Sequence, residues 1–170
     1  MTVPAFLNTI EQTPFSVWIR ESESVFAYYF ILVFHTIGLS LLVGTSALVA
    51  LRLLGVAPAL PLPPLKKLFP LIWGGLWLNI TSGMLLLFAY PTKALTNPVF
   101  YLKLALVGFA VRAMMAVERR YLGDVSDVDP DMMAKARWVA MGSLLLWCAV
   151  IGTGRLLAYT SSYILYGKIM

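Results

Sequence analysis

Four long apolar runs, separated by proline-rich or polar stretches, constrain this chain more than any other feature. They cover residues 25–51, 66–90, 98–117 and 136–160. Because about 20 helical residues cross the ~30 Å hydrocarbon core of a bilayer, each run is long enough for one transmembrane helix. The composition agrees, since 60% of the residues are hydrophobic and only 12% are charged, where a soluble domain has about 25% charged residues. We therefore predict an all-α polytopic membrane protein that folds as a four-helix bundle.

The stretches between the runs contain residues that end helices. Residues 55–67, GVAPALPLPPLKK, hold four prolines, so the chain cannot stay helical there. Residues 89–98 form the second turn, with Pro98 suited to the first turn of the third span. Residues 119–137 are strongly polar and must lie in water. Three connections therefore join the four predicted spans.

The N-terminal residues differ from both a membrane span and a cleavable signal. They lack a basic n-region and carry glutamates before the first apolar run. We expect a short interfacial helix, broken near Pro14, whose apolar side is formed by Phe6, Ile10, Phe15 and Trp18. The predicted parts are an interfacial segment at 1–24, the four-span bundle at 25–160 and a C-terminal tail at 161–170.

The distribution of basic residues predicts the orientation in the membrane. Seven flank the first and third connections, namely Arg52, Lys66, Lys67, Arg119, Arg120, Lys135 and Arg137. Fewer lie on the opposite side, and cationic loops stay in the cytoplasm. We therefore expect a bacterial inner (plasma) membrane protein with both termini on the periplasmic, outer side. Because these bases sit at helix ends and form no patch, the net charge of +5 does not predict nucleic-acid binding.

The only histidine, His35, lies inside the first apolar run. It is about ten residues from the outer end of that span, which at ~1.5 Å per residue places it near mid-membrane. Asn79 reaches a similar level on the second span, and Lys103 and Arg155 lie about one turn below the outer surface. Polar groups within a span usually face a bundle interior or a partner. We therefore expect these four side chains to share a polar zone in the outer half of the bundle.

Small residues accompany these polar groups at helical spacing. The three predicted stripes are His35, Gly38, Leu42 and Ser46; Gly75, Asn79, Ser82 and Gly83; and Cys148, Gly152 and Arg155. Such stripes let helices approach closely or leave room for a flat ligand. For the small residues alone, ordinary helix packing is the favoured explanation over a ligand slot. Snorkelling to the headgroups would explain Lys103 and Arg155.

Several roles are open for His35. A structural imidazole needs only one hydrogen bond to a neighbouring helix, whereas the functional alternatives are a haem ligand, a copper ligand or a proton relay. Copper is disfavoured because no methionines cluster with His35 in the sequence.

Haem b is the most specific of these hypotheses. Imidazole Nε2 is the usual axial ligand, and four-helix bundles hold cofactors between facing helices. Lys103 and Arg155 would suit the propionates, and Trp77 could line the macrocycle. Since one histidine supplies one axial ligand, the second would be Met84, another methionine, Lys103, an open position, or His35 of a second subunit.

Two segments resemble small bacterial membrane families. FHTIGLSLLVGTSAL (34–48) resembles the first helix of HemJ-type protoporphyrinogen oxidases and of CopD-type copper-resistance domains, and FYLKLALVGFAV (100–111) resembles the third-helix segment of the HemJ-type proteins. The resemblance implies His35 as the haem b ligand and Lys103 as its partner. The HemJ-type acidic motif of the fourth helix has no counterpart, so a haem-holding bundle is implied rather than protoporphyrinogen oxidation.

Two functional hypotheses follow. The first is haem b binding through His35 in electron transfer or in haem and redox metabolism, with a quinone or another redox partner left open. The alternative is a cofactor-free oligomeric scaffold or a small-solute or ion transport protein. No motif decides whether the chain is an enzyme. Because four short helices leave much apolar side surface, we also expect a homo-oligomer in the lipid bilayer.

Overall fold

The structure is a computed structural model that describes residues 5–22, 24, 27–56, 58–61, 63–121 and 130–166. In these residues the regular elements are all helical, which confirms the predicted all-α class. The helices are α1 (Ala5–Glu11), α2 (Pro14–Glu21), α3 (Tyr28–Leu54), α4 (Phe69–Ala89), α5 (Pro91–Leu95), α6 (Pro98–Tyr121) and α7 (Pro130–Tyr166), with a 3-10 helix at Pro63–Leu68 before α4.

Four segments are long and apolar enough to cross a membrane. They are Tyr28–Leu54, Pro63–Ala89, Pro98–Tyr121 and Asp131–Thr160. The chain is therefore a multi-pass integral membrane protein in contact with the lipid bilayer.

The helix limits differ from the predicted spans by a few residues for local reasons. The first spanning helix, α3, continues to Leu54. It ends there because Gly55, at φ 87°, adopts the left-handed conformation that commonly terminates helices. The last helix begins at Pro130, since proline suits the first helical position. It also continues to Tyr166, so residues 161–166, predicted as tail, are helical.

The long helices form two hairpins. Helix α3 packs on α4, α6 packs on α7, and the hairpins meet mainly between α3 and α7. Helices α3 and α6 end, and α4 and α7 begin, at the same end of the bundle, which we call the loop end. At the other end α1 packs on α5 and α2 packs on α4, and we call it the capped end.

The apolar core fills the half of the bundle nearer the loop end. Its buried residues are Leu42, Val49, Ala50, Leu53, Leu65, Phe69, Ile72, Leu76, Ala110, Met114, Val117, Ala136, Ala140, Trp147 and Val150. On α3, α4 and α6 these residues come from the part closer to the loop end, whereas on α7 they extend from Ala136 past the middle of the helix to Val150. Trp147 and Phe69 are the largest fully buried side chains. Interdigitated side chains at this end therefore fix the positions of all four spans.

Two glycines bring the backbones of α3 and α4 into contact. A Cβ added to Gly38 would lie 2.8 Å from the backbone nitrogen of Asn79, and one added to Gly75 would lie 2.8 Å from the backbone nitrogen of Leu42. Larger residues would push the helices apart. The predicted stripes on the first two spans therefore do face each other.

The N-terminal segment forms two helices that separate at Pro14, as predicted. The Thr13 hydroxyl accepts a bond from the Ser16 N–H at 3.4 Å and caps α2. Ser16 Oγ donates to the Phe88 carbonyl at 2.8 Å, and Arg20 Nη1 donates to the Ala89 carbonyl at 3.2 Å. The segment is thus attached to carbonyls that α4 leaves unpaired at its C-terminus.

Of the four residues predicted for the apolar side of the N-terminal segment, three are exposed and one is partly buried. Phe6, Phe15 and Trp18 are 62%, 51% and 54% exposed, and Ile10 is half-buried. The buried contacts to the bundle come instead from Leu7, Ser16 and Ile19. Membrane-surface binding by the exposed aromatic residues stays a prediction.

Candidate functional site

A group of polar side chains lies between the apolar core and the capped end. His35 and Lys103 are about 10 and 8 Å along α3 and α6 from the capped-end residues of those helices, at 1.5 Å per residue. Asn79 and Ser82 on α4 and Thr153 on α7 complete the group, and none of the five is exposed. We call these five residues the polar layer.

His35 is held against α4 by contacts on both its ring and its backbone. Nδ1 lies 3.1 Å from Ser82 Oγ. A Cβ added to Gly83 would lie 3.2 Å from His35 Cε1, so the ring packs where α4 has no side chain. Asn79 Nδ2 donates to the His35 carbonyl at 2.9 Å. The imidazole therefore has a fixed orientation in the interface between the first two spans.

The serine network favours one imidazole tautomer. Ser82 Oγ lies 2.6 Å from the Leu78 carbonyl and 3.2 Å from the Asn79 carbonyl, so its single proton has acceptors within α4. When the proton is donated there, the serine oxygen can only accept from His35, and the proton of the neutral ring then lies on Nδ1. Within the described residues Nε2 makes no hydrogen bond. Nε2 thus offers a free electron pair. Metal-binding histidines have the same arrangement: one ring nitrogen binds the metal, and the N–H of the other donates to a second residue.

Lys103 brings a positive charge to the same level from the second hairpin. Its side chain reaches α7 at Gly154, where an added Cβ would lie 3.7 Å from Nζ. The ammonium interacts electrostatically with His35. In the described part of the chain it forms no ion pair. An electron-pair donor and a partly buried cation therefore face the same region of the bundle.

The structure brings together three of the six residues predicted for the site, namely His35, Asn79 and Lys103. The other three lie on outward faces. Trp77 and Met84 are 64% and 54% exposed on α4, and Arg155 is exposed on α7. These three do not join the polar layer of the same chain.

The predicted stripe on the fourth span also faces outward. Cys148 and Gly152 are exposed along with Arg155, whereas Thr153 and Gly154 face the bundle. Sequence analysis therefore missed the contribution of α7 to the site. It also missed the role of Ser82 as the partner of the ring, although Ser82 and Gly83 were visible on the stripe opposite His35.

The arrangement can coordinate a Lewis acid, accept a proton at Nε2, or pair an anion with the ammonium of Lys103. Among the described residues, no three His, Cys, Asp or Glu side chains cluster as a metal site. A metal bound at His35 would therefore have to bring most of its ligands with it. No protein-family model, curated protein or solved structure matches the chain.

Proposed function

We propose that the protein is a membrane haem b-binding protein that acts in electron transfer or in haem and redox metabolism, with His35 Nε2 as the axial ligand. The observation that carries the proposal is the Ser82 network. A serine that gives its proton to Leu78 and accepts one from Nδ1 leaves Nε2 free for a metal.

The donor set of the polar layer fits this group. A haem supplies the equatorial ligands of its own iron, so a single histidine suffices where no three-residue metal cluster exists among the described residues. When bound, it would supply a one-electron redox centre. Met84 is 54% exposed on the outer face of α4, so it would not hold the group together with His35 of the same chain.

The residues around His35 have separate roles in this proposal. Ser82 fixes the ring and its tautomer, and Asn79 holds the backbone carbonyl of His35. Lys103 provides the cation for a propionate. The resemblance of residues 34–48 and 100–111 to the HemJ-type proteins points to the same two residues, His35 and Lys103.

The orientation and the assembly belong to the same proposal. Cationic residues flank the connections of the loop end, so that end faces the cytoplasm of a bacterial cell and the capped end faces outward. In a Cys148→Ala background, a membrane-impermeant thiol reagent should label Gln12→Cys but not Ala59→Cys in intact cells. The reverse pattern would invert the orientation. The exposed apolar faces of the spans would be covered partly by lipid and partly by further copies of the chain.

The visible spectrum of the purified protein tests the haem proposal. Protein isolated in mild detergent from haem-supplied cells should show a Soret band, with α and β bands after reduction. His35→Ala should abolish these bands. The control is Met84→Leu, which should keep them, because Met84 lies near the level of His35 but on the outer face of α4. Absence of any Soret band from the wild-type protein would refute haem binding.

A cofactor-free scaffold is the second candidate, and the contact of α3 with α4 favours it. Gly38 and Gly75 allow the backbones to touch, and the bond from His35 to Ser82 adds a polar link beside them. In this case His35→Ala would alter no spectrum and would lower stability by roughly 1–3 kcal/mol, the effect of an unsatisfied buried partner.

A further inference from the structure

The four spans form an open row rather than a closed ring. Helix α4 packs on α3, α3 on α7 and α7 on α6, so α4 and α6 are the two ends of the row. Near the loop end the side chains of these two helices still meet, since Ile72 on α4 and Met114 on α6 line the same small cavity. Closer to the capped end, α6 has no buried residue before Ala110. The row is therefore open between α4 and α6 at the level of the polar layer.

The capped end, in contrast, is closed over the polar layer. Ala27, Ala89 and Asn97 lie there, and each of them is at most 1% exposed. His35 and Lys103 are nevertheless only partly buried. Because the capped end is closed, the surface that these two side chains keep faces the side of the bundle, where lipid rather than water surrounds the protein.

Lys103 holds its ammonium well inside the membrane. Asn97 Nδ2 donates to Thr160 Oγ at 2.9 Å, so the start of α6 is level with Thr160 on α7. At 1.5 Å per residue, Lys103 and Gly154 each lie about 9 Å from that level. An added Cβ at Gly154 would lie 3.7 Å from Lys103 Nζ, so the ammonium stays at this depth and does not extend to the headgroups. The apolar part of α6, residues 98–117, spans about 30 Å, the thickness of the hydrocarbon core.

The ammonium has no counter-charge at this depth. Among the described residues Lys103 forms no ion pair or hydrogen bond. Glu11 and Glu21 pair with Arg20 at the capped end, and Glu118 lies about 22 Å farther along α6. An unpaired cation within a span is unfavourable, so a bound anion at this position would stabilise it.

Two glycines leave space beside the polar groups. Apart from its own helix, a Cβ added to Gly83 would have only the His35 ring within 4 Å, and one added to Gly154 only the end of Lys103. Helices α4 and α7 therefore place little side-chain volume around the imidazole and the ammonium. An apolar chain can lie in the opening with a small polar end beside Lys103.

Depth and charge together indicate the class of ligand. A phospholipid keeps its phosphate and glycerol in the hydrated headgroup layer, so its anion does not reach ~9 Å into the hydrocarbon. A water-soluble anion would have to pass the closed capped end. A single-chain carboxylic acid can lie deeper, because its small head is joined directly to one apolar chain. Its carboxylate can form a charge-assisted hydrogen bond with an ammonium.

We propose that the polar layer binds a membrane-soluble carboxylic acid, which enters from the bilayer between α4 and α6 and pairs its carboxylate with Lys103. The pairing requires neither an iron atom nor coordination by His35. A haem propionate is a carboxylate of the same kind and would use the same opening, but the binding of a simple fatty acid does not depend on haem.

A photoreactive fatty acid tests this site directly. The probe is a long-chain fatty acid with a diazirine in the middle of its chain, and its control is the alcohol with the same chain. Each is added in equal amount to liposomes that contain the full-length protein, produced without added haem and free of a Soret band. Cross-linking should be about tenfold stronger for the acid, since a charge-assisted bond holds it. Mass spectrometry should locate the label on the capped-end halves of α4 and α6.

Variants at two lysines separate the site from general charge effects. Lys103→Met removes the charge at similar side-chain length and should abolish the preference for the acid, whereas Lys103→Arg should keep part of it. Lys93→Met, at an exposed lysine of the capped end, is the matched control and should be labelled as the wild type is. Circular dichroism in mild detergent checks that each variant is folded.

Three outcomes would overturn the proposal. The first is equal labelling of the wild type by the acid and the alcohol. The second is an unchanged preference for the acid in folded Lys103→Met. The third is label located on α1 and α2 or in the loop-end half, which would exclude entry between α4 and α6. The haem proposal is tested separately by the visible spectrum, so either proposal can fail without the other.

Discussion

The two halves of the bundle use the same four helices in different ways. Near the loop end the helices interlock through large apolar side chains such as Phe69 and Trp147. Around the polar layer they meet through hydrogen bonds, a glycine contact and a lysine that crosses between helices. Helix α6 shows the change most clearly, since its buried residues begin only at Ala110. The loop-end half holds the fold together, which frees the other half to present reactive groups.

Polar groups occur in both halves, but only the polar layer leaves ionisable groups without a partner. In the apolar core the Trp147 Nε1–H is buried and has no hydrogen-bond partner among the described residues. At the loop end Ser46 Oγ donates to the Leu42 carbonyl at 2.6 Å and also contacts Met114 Sδ at 3.4 Å. The cavity beside it, of about 10 Å³, has room for one water at most. In the polar layer, by contrast, His35 Nε2 and the Lys103 ammonium have no hydrogen-bond or ion-pair partner among the described residues.

The largest effect that would test this comparison is expected at Trp147. Trp147→Ala removes the largest fully buried side chain and should destabilise the protein by about 3–5 kcal/mol. Unfolding in mild detergent, followed by circular dichroism, measures the change. Trp138→Ala, at a side chain that is 71% exposed on the same helix, is the control and should have little effect. Equal losses in the two variants would mean that the loop-end core does not dominate stability.

A smaller loss is expected where α3 crosses α4. Gly75→Ala places a Cβ 2.8 Å from the Leu42 nitrogen, so the helices must separate, at a cost of about 1–3 kcal/mol. Its neighbour Gly74 has no atom within 4 Å of an added Cβ, and Gly74→Ala should be tolerated. The same unfolding measurement compares the two. If both alanines are tolerated, the close contact does not exist in the membrane.

The smallest effect on stability is expected in the polar layer itself. Ser82→Ala removes the partner of His35 Nδ1 and should cost about 0.5–1.5 kcal/mol, the net value of one hydrogen bond. Under the haem b proposal it should also shift the visible bands of the purified protein, because the ring loses its fixed orientation. Thr81→Ala removes an exposed hydroxyl that bonds only within its own helix, and it should change neither property. A spectrum shifted equally by both substitutions would contradict the role given to Ser82.

The sequence alone determined the number of spans, the all-α class and the break at Pro14. Hydropathy reports span length directly, and prolines mark where helices begin or end. The stripes on the first two spans were predictable as well, because His35 and Asn79 are polar in an apolar stretch and are flanked by small residues at helical spacing. Polar groups within a span mark the inward face.

Only the tertiary structure decided which way the rest of the site faces. In a membrane, the side of a helix that contacts lipid is as apolar as the side that contacts other helices, so amphipathic patterns no longer distinguish them. For this reason Trp77, Met84 and Arg155 could be placed at the right depth but not on the right face. The pairing of Lys103 with Gly154 likewise depends on how the second hairpin packs, which no local pattern records.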